Sequence, residues 1–191
     1  MVGTKIFSLK PNISSVLFFL RWEATNTGGC SDFPQAAFLR RGRIQMRIEA
    51  TDYVEAAKER LGEANLLYEK ARYSLALYVA GVAVESLLRA YIVRVNSKFE
   101  AAHNLYLLLD ASNLHSFSAP TEGQQVFAAI TMLFRRWRND LRYTSNSRLR
   151  RRLKKSKLDR GIRGDFLKEN CRISIEAAKL ILEIGVAKWK T

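Results

Sequence analysis

Proline is scarce in this chain, with three residues among 191, and glycine numbers only ten. So few turn formers exclude a fold of many short strands and tight turns. Cysteine is scarcer still. Cys30 and Cys171 are the only two, which rules out a disulfide framework. With just two histidines, His103 and His115, no familiar zinc spacing exists, and no metal or cofactor is implied. A reducing cytoplasm is the simplest home for such a composition. Near the N-terminus the one strongly apolar run covers residues 13–20, too short to span a bilayer as a helix. Arg21, Trp22 and Glu23 follow it without a small-x-small cleavage site, so no secretory signal and no membrane partner are read here.

Acid is the scarce sign of charge. The 32 Lys and Arg face 18 Asp and Glu, for a net charge of +14 and a pI near 10. The excess is local. Residues 135–163 hold thirteen cations and two acids, a net +11 of that +14. A clustered positive charge is the electrostatic footprint of a nucleic-acid or other polyanion binder, and a solvated basic linker is the plainer alternative. Within residues 148–157 no aromatic is interleaved, which disfavours a base-stacking platform and favours sequence-blind phosphate contact. The expected contacts are Arg135, Arg136, Arg142, Arg148, Arg150, Arg151, Arg152, Lys154, Lys155 and Lys157.

What is abundant is apolar residue at helical spacing; 48% of the chain is hydrophobic, enough for a core. Residues 1–45 show no sustained period, and Met46 begins a clean helical pattern. Two readings stay open for 1–45: an appended leader with Met46 as the natural start, or a short arm packed on a helical body. Val54, Ala57, Leu61, Ala64 and Ala71 predict an amphipathic helix over about 50–70. Residues 72–96 are apolar on nearly all sides and predict a central buried helix, with Ala80-Gly81 allowing a close neighbour. A third helix is expected over about 100–112, then a loop over 113–120. A fourth opens on a Thr121–Gln124 capping box and carries Val126, Ile130, Leu133, Trp137 and Leu141 on one face. Residues 144–161 read as a mobile basic loop, and a fifth helix as running from about 163 to 188. The fold class is all-α, an up-down bundle of about five helices in a domain covering 46–191.

Tyr53-Val54-Glu55-Ala56-Ala57-Lys58, then Ala80-Gly81-Val82-Ala83-Val84-Glu85 and His103-Asn104-Leu105, resemble the HEPN family of small all-α prokaryotic domains. The resemblance covers roughly residues 50–188. It implies a five-helix bundle that commonly dimerises, in a defence, toxin–antitoxin or RNA-processing setting. Many members are metal-independent ribonucleases. Their motif is an Arg, usually followed by Asn, Asp or His, and a His after four to six intervening residues. In such a site the Arg stabilises charge on the phosphate and the His is the acid/base group. A small nucleotidyltransferase is a common partner, and in some pairs it modifies a tyrosine near the motif. Here Arg138-Asn139 match the motif, but the permitted His positions hold Tyr143, Thr144 and Ser145. An unperturbed phenol, with a pKa of about 10, is a poor base at neutral pH. The candidate catalytic set is therefore the degenerate trio Arg138, Asn139 and Tyr143. An active endoribonuclease and a non-catalytic partner module remain the rival readings.

Each of these residues also has a structural reading. Arg138 and Asn139 suit a helix C-terminus equally well. Arg142, four residues on, is expected on the same helix face as Arg138, where the two would grip one phosphate. Trp137 is read as core, and Tyr143 as a buried anchor. Glu85 is the one acid in the most apolar helix and needs a partner: Arg138, Arg142 or His103. His103 is read as a structural support.

Overall fold

The structure, a computed structural model, describes residues 48–96, 103–117 and 119–190. The two readings of residues 1–45 lie outside the described residues. Among the described residues the chain forms seven α-helices and one 3-10 turn, with no strand. They are α1 (Ala50–Glu69), α2 (Tyr73–Val95), α3 (Leu105–Ser112), α4 (Leu114–Phe117), α5 (Pro120–Phe134), the 3-10 turn (Asn139–Tyr143), α6 (Asn146–Lys155) and α7 (Phe166–Trp189).

α1 and α2 form a helical hairpin closed by Ala71, which adopts the left-handed conformation at φ 55°. α2 is the centre of the bundle, packed by α1, α3, α7 and the 3-10 turn. By length and composition it could cross a membrane, yet 72% of its apolar window is buried inside the bundle, as a core helix requires. Gly81 is buried, and the Trp137 ring lies directly on it. A Cβ there would stand 2.0 Å from the indole Cδ1. The Trp137 Nε1–H donates to the Tyr78 carbonyl at 3.0 Å, so the expected core tryptophan is also a hydrogen-bonded one. On the other side of α2, the Tyr91 hydroxyl donates to the Gly185 carbonyl of α7 at 2.6 Å, and burial pushes its pKa up to about 12.

Four expectations are corrected. α3 starts at Leu105, because Asn104 caps it by accepting from the Tyr106 and Leu107 amides. Residues 113–120 are not all loop, since α4 occupies Leu114–Phe117. The N-terminus of α5 uses Pro120 at its first position, and Glu122, not Gln124, reaches back to accept from the Ala119 amide at 3.0 Å. Finally, α5 does not run on to Leu141. It ends at Phe134, where Arg136 turns back and donates from Nη1 to the Met132 carbonyl at 2.8 Å. Trp137 and Leu141 are still buried at 2% and 1% exposure, but they leave the helix to reach α2.

The expected mobile loop 144–161 is the largest correction. Its residues Asn146–Lys155 are α6, capped by Ser145, whose hydroxyl accepts from the Arg148 amide. Three like-charge pairs at i,i+4 oppose this helix (Arg148/Arg152, Arg150/Lys154, Arg151/Lys155), each costing about 0.2–0.5 kcal/mol. Leu149 and Leu153, fully buried on the inner face, return about 1.5–3 kcal/mol each. Burial outweighs the repulsion, and Arg148, Arg151, Lys154 and Lys155 are turned outward.

Candidate functional site

The bundle presents its charge where the 3-10 turn and α6 meet. Arg138 is extended (φ −154°, ψ 153°) and exposed, and its guanidinium pairs with Asp140 at 3.3 Å. Arg152 of α6 lies on the other side of the same carboxylate at 4.0 Å. It is half-buried, its Nη1 has no hydrogen bond, and burial first, then the nearby Arg138, pulls its pKa down. One carboxylate between two guanidiniums leaves an uncompensated positive charge. Asn139 is half-buried at the start of the 3-10 turn.

Arg142 does not share a face with Arg138. Arg138 is extended and precedes the 3-10 turn that holds Arg142, so the two are not a pair four residues apart on one helix. Arg142 instead stacks over the Tyr143 ring at 4.8 Å. Tyr143 is no buried anchor either: it is 77% exposed, at the last position of the 3-10 turn.

The remaining basic residues divide by what they touch. Arg136 is half-buried and donates from Nε to Asn170 Oδ1 at 2.8 Å, besides its bond to Met132. Burial pulls its pKa down, with Arg135 next to it adding to the effect. Its donors hold α5 to α7, which spends it on structure. Arg150 pairs with Asp165 at 3.1 Å and lies over the Phe166 ring at 4.9 Å. Lys154 lies 5.8 Å from the same ring. Arg148, Arg151, Lys154 and Lys155 are exposed on the outer face of α6 and have no ion-pair partner among the described residues. Arg135 is exposed at the end of α5, and Lys157 is exposed just past α6 with a left-handed φ of 57°.

Glu85 and His103 do come together. The His103 Nδ1 stands 2.9 and 3.0 Å from the two Glu85 oxygens, and Arg89 donates to Glu85 at 2.9 Å. An ionised carboxylate only accepts, so the imidazole proton is on Nδ1. Neither Arg138 nor Arg142 pairs with Glu85. Among the described residues no three His, Cys, Asp or Glu side chains gather as a metal site. Cys171 is buried, and that burial pushes its thiol up to about 12, which leaves it inert.

One set of residues had no signal in the sequence. Beside the 3-10 turn a pocket of about 360 Å³ is lined by Arg72, Ser74 and Leu75 from the α1–α2 corner, and by Leu141, Arg142, Thr144, Ser145 and Asn146. Asn146 pins its two walls together. Its Oδ1 accepts from the Ser74 amide at 2.9 Å and its Nδ2 donates to the Ala71 carbonyl at 3.0 Å. About seventy residues separate the two walls, so no local pattern announces them.

A family model described as the HEPN domain matches residues 50–189. No curated protein and no solved structure matches the chain.

Proposed function

The chain belongs to the HEPN domain family, and from that membership we propose that it engages RNA through the outer face of α6 and the adjoining Arg138. The observation that carries this reading is α6 itself. Its ten residues include six cations and no acid, held as a rigid strip by two buried leucines. A fixed row of unpaired guanidinium and ammonium groups binds phosphates through counterion release and reads little sequence. Arg150 and Arg152 are partly engaged with Asp165 and Asp140, so Arg148, Arg151 and Lys155 are the better probes. Changing those three to Gln should weaken binding to single-stranded RNA and flatten the log K versus log salt slope by about 2, at about 0.7 per lost contact. An unchanged slope would move the contact off α6.

Catalysis in this reading is weak or absent, because the permitted motif positions hold Tyr143, Thr144 and Ser145 and no imidazole stands there. The protein acts as a two-fold dimer that brings the ends of α5 together. Support comes from Met132 and Phe134, 42% and 39% exposed in the last turn of that helix, and from Phe127, exposed two turns before Phe134.

The exposure of Tyr143 favours a second reading. A phenol that stands clear of the surface is accessible to a partner nucleotidyltransferase, which makes the chain an interaction module with Tyr143 as acceptor. Mass spectrometry of the protein expressed with such a partner separates the two. A nucleotidyl adduct on Tyr143 supports the module, and an unmodified Tyr143 in a complex that still binds RNA supports the first reading.

A further inference from the structure

We infer that the pocket between the α1–α2 corner and the end of the 3-10 turn binds a terminal phosphate group, carried by a mononucleotide or by an RNA end. For the kind of ligand this rests on the polyanion reading above; for its residues it does not.

The pocket is built for an anion. Arg72 and Arg142 reach it from elements far apart in the chain, and no carboxylate lines it. Neither arginine has an ion-pair partner among the described residues, whereas Arg138, Arg150 and Arg152 each have an acid within 4.0 Å. Between Arg72 and Arg142 lies Ser74, only 7% exposed, whose amide bonds to Asn146 while its hydroxyl has no hydrogen-bond partner among the described residues. Lining the pocket beside two arginines, that hydroxyl is available to donate to a phosphate oxygen.

Shape narrows the ligand. Nucleic-acid backbone lying across a surface presents a monoanionic phosphodiester flanked by two sugars. A concave site of about 360 Å³ admits a chain end or a whole mononucleotide more readily than a backbone passing through. A phosphomonoester also carries close to two charges at neutral pH, which two guanidiniums balance. The walls are preorganised, since Asn146 holds the Ala71 carbonyl and the Ser74 amide at once. Little ordering is then left to oppose binding.

Isothermal titration calorimetry at low salt with AMP and adenosine tests the proposal. AMP should bind, and adenosine should bind at least about tenfold more weakly, the loss expected for a charge-assisted pair of about 1.5 kcal/mol or more. Arg72→Gln and Arg142→Gln should each remove that preference, and Arg142→Lys should restore part of it. Arg72 is exposed at a helix corner, so R72Q should keep the wild-type helical circular dichroism and melting temperature. Equal affinity for AMP and adenosine, no binding of either, or a preference intact in folded R72Q would each overturn the assignment. Pentauridylate with a 5′-phosphate or a 5′-hydroxyl then distinguishes the sources. A 5′-phosphate preference lost in R72Q identifies an RNA end, and AMP binding without that preference identifies a free nucleotide. The α6 triple variant keeps the two readings apart. It should lose RNA affinity yet still bind AMP, so failure of the α6 strip and failure of the pocket are separate results.

Discussion

Trp137 shows what one side chain decides. Its ring rests on Gly81, and its indole N–H satisfies the Tyr78 carbonyl, so the motif that follows is anchored to the middle of α2. Gly81→Ala adds a methyl group inside the ring, at 2.0 Å. Overpacking of this kind costs about 1–3 kcal/mol, more than the gain of up to about 1 kcal/mol from better helix propensity. Gly62 is the internal control: a Cβ there meets nothing within 4 Å. Gly62→Ala in α1 should therefore stabilise by about 0.5–1 kcal/mol, while Gly81→Ala destabilises. Urea denaturation of the two variants side by side checks the opposite signs. At the motif, Tyr143→His recreates an Arg, four intervening residues and a His. An imidazole with a pKa of about 6.5 suits proton transfer at neutral pH far better than a phenol. RNA cleavage in EDTA should rise in Tyr143→His and be absent from Tyr143→His combined with Arg138→Ala. Cleavage by the unchanged protein that survives EDTA and is lost in Arg138→Ala would show instead that the site is active as it stands.

At the scale of the element, helix ends set the architecture. α5 begins where Glu122 accepts from the Ala119 amide and pairs with Lys188 of α7 at 3.1 Å. The backbone hydrogen bond first, and Lys188 second, hold the Glu122 carboxyl below its ordinary value of 4.5. A depressed carboxylate pKa stabilises the fold above the ordinary value, and the contribution disappears as pH falls through the lower, folded value. Glu122→Gln, which imitates the protonated acid, should be less stable than the parent at pH 7, and the gap should narrow toward pH 3. Chemical denaturation at the two pH values measures the closing gap. A constant gap would mean that Glu122 acts by shape alone. α6 teaches a different lesson about elements. Its pattern is Leu149 and Leu153 at i,i+4, with Leu158, also buried, beyond its end. That period is helical, but among so many cations it reads as a polar linker. Two buried leucines are a short signal, and only a hydrophobic surface waiting on the rest of the bundle makes them count.

For the whole molecule the open quantity is assembly. Phe127, Met132 and Phe134 expose apolar surface along α5, and Tyr106 packs against Phe127 and Phe134 at 6.1 and 4.6 Å between ring centres. Sedimentation velocity at tens of micromolar should show a dimer, and Phe134→Asp should shift it toward monomer without loss of helicity. Only monomer in the parent protein would count against a shared cleft at the ends of α5. The all-α class, the four long helices and the buried centre at α2 were legible in the sequence, because a 3.6-residue period and a scarcity of turn formers depend on nearest neighbours along the chain. Trp137 in the core was legible because it keeps the spacing of Leu133 and Leu141, and the need of Glu85 for a partner because it is an acid in an apolar helix; that the partner is His103, and not Arg138 or Arg142, was not. The end of α5, the helicity of 146–155, the exposure of Tyr143 and the parting of Arg138 from Arg142 were not. Continuing α5 and breaking it at Arg135 both leave Trp137 and Leu141 inward, so the pattern is the same for either path. What separated them was the space over Gly81 and the Asn170 acceptor on α7, which exist only once distant helices have packed. The pocket at Arg72 and Arg142 belongs to the same class. Sequence supplied two unremarkable arginines, and the bundle alone decided that they meet, because their juxtaposition is a contact between elements.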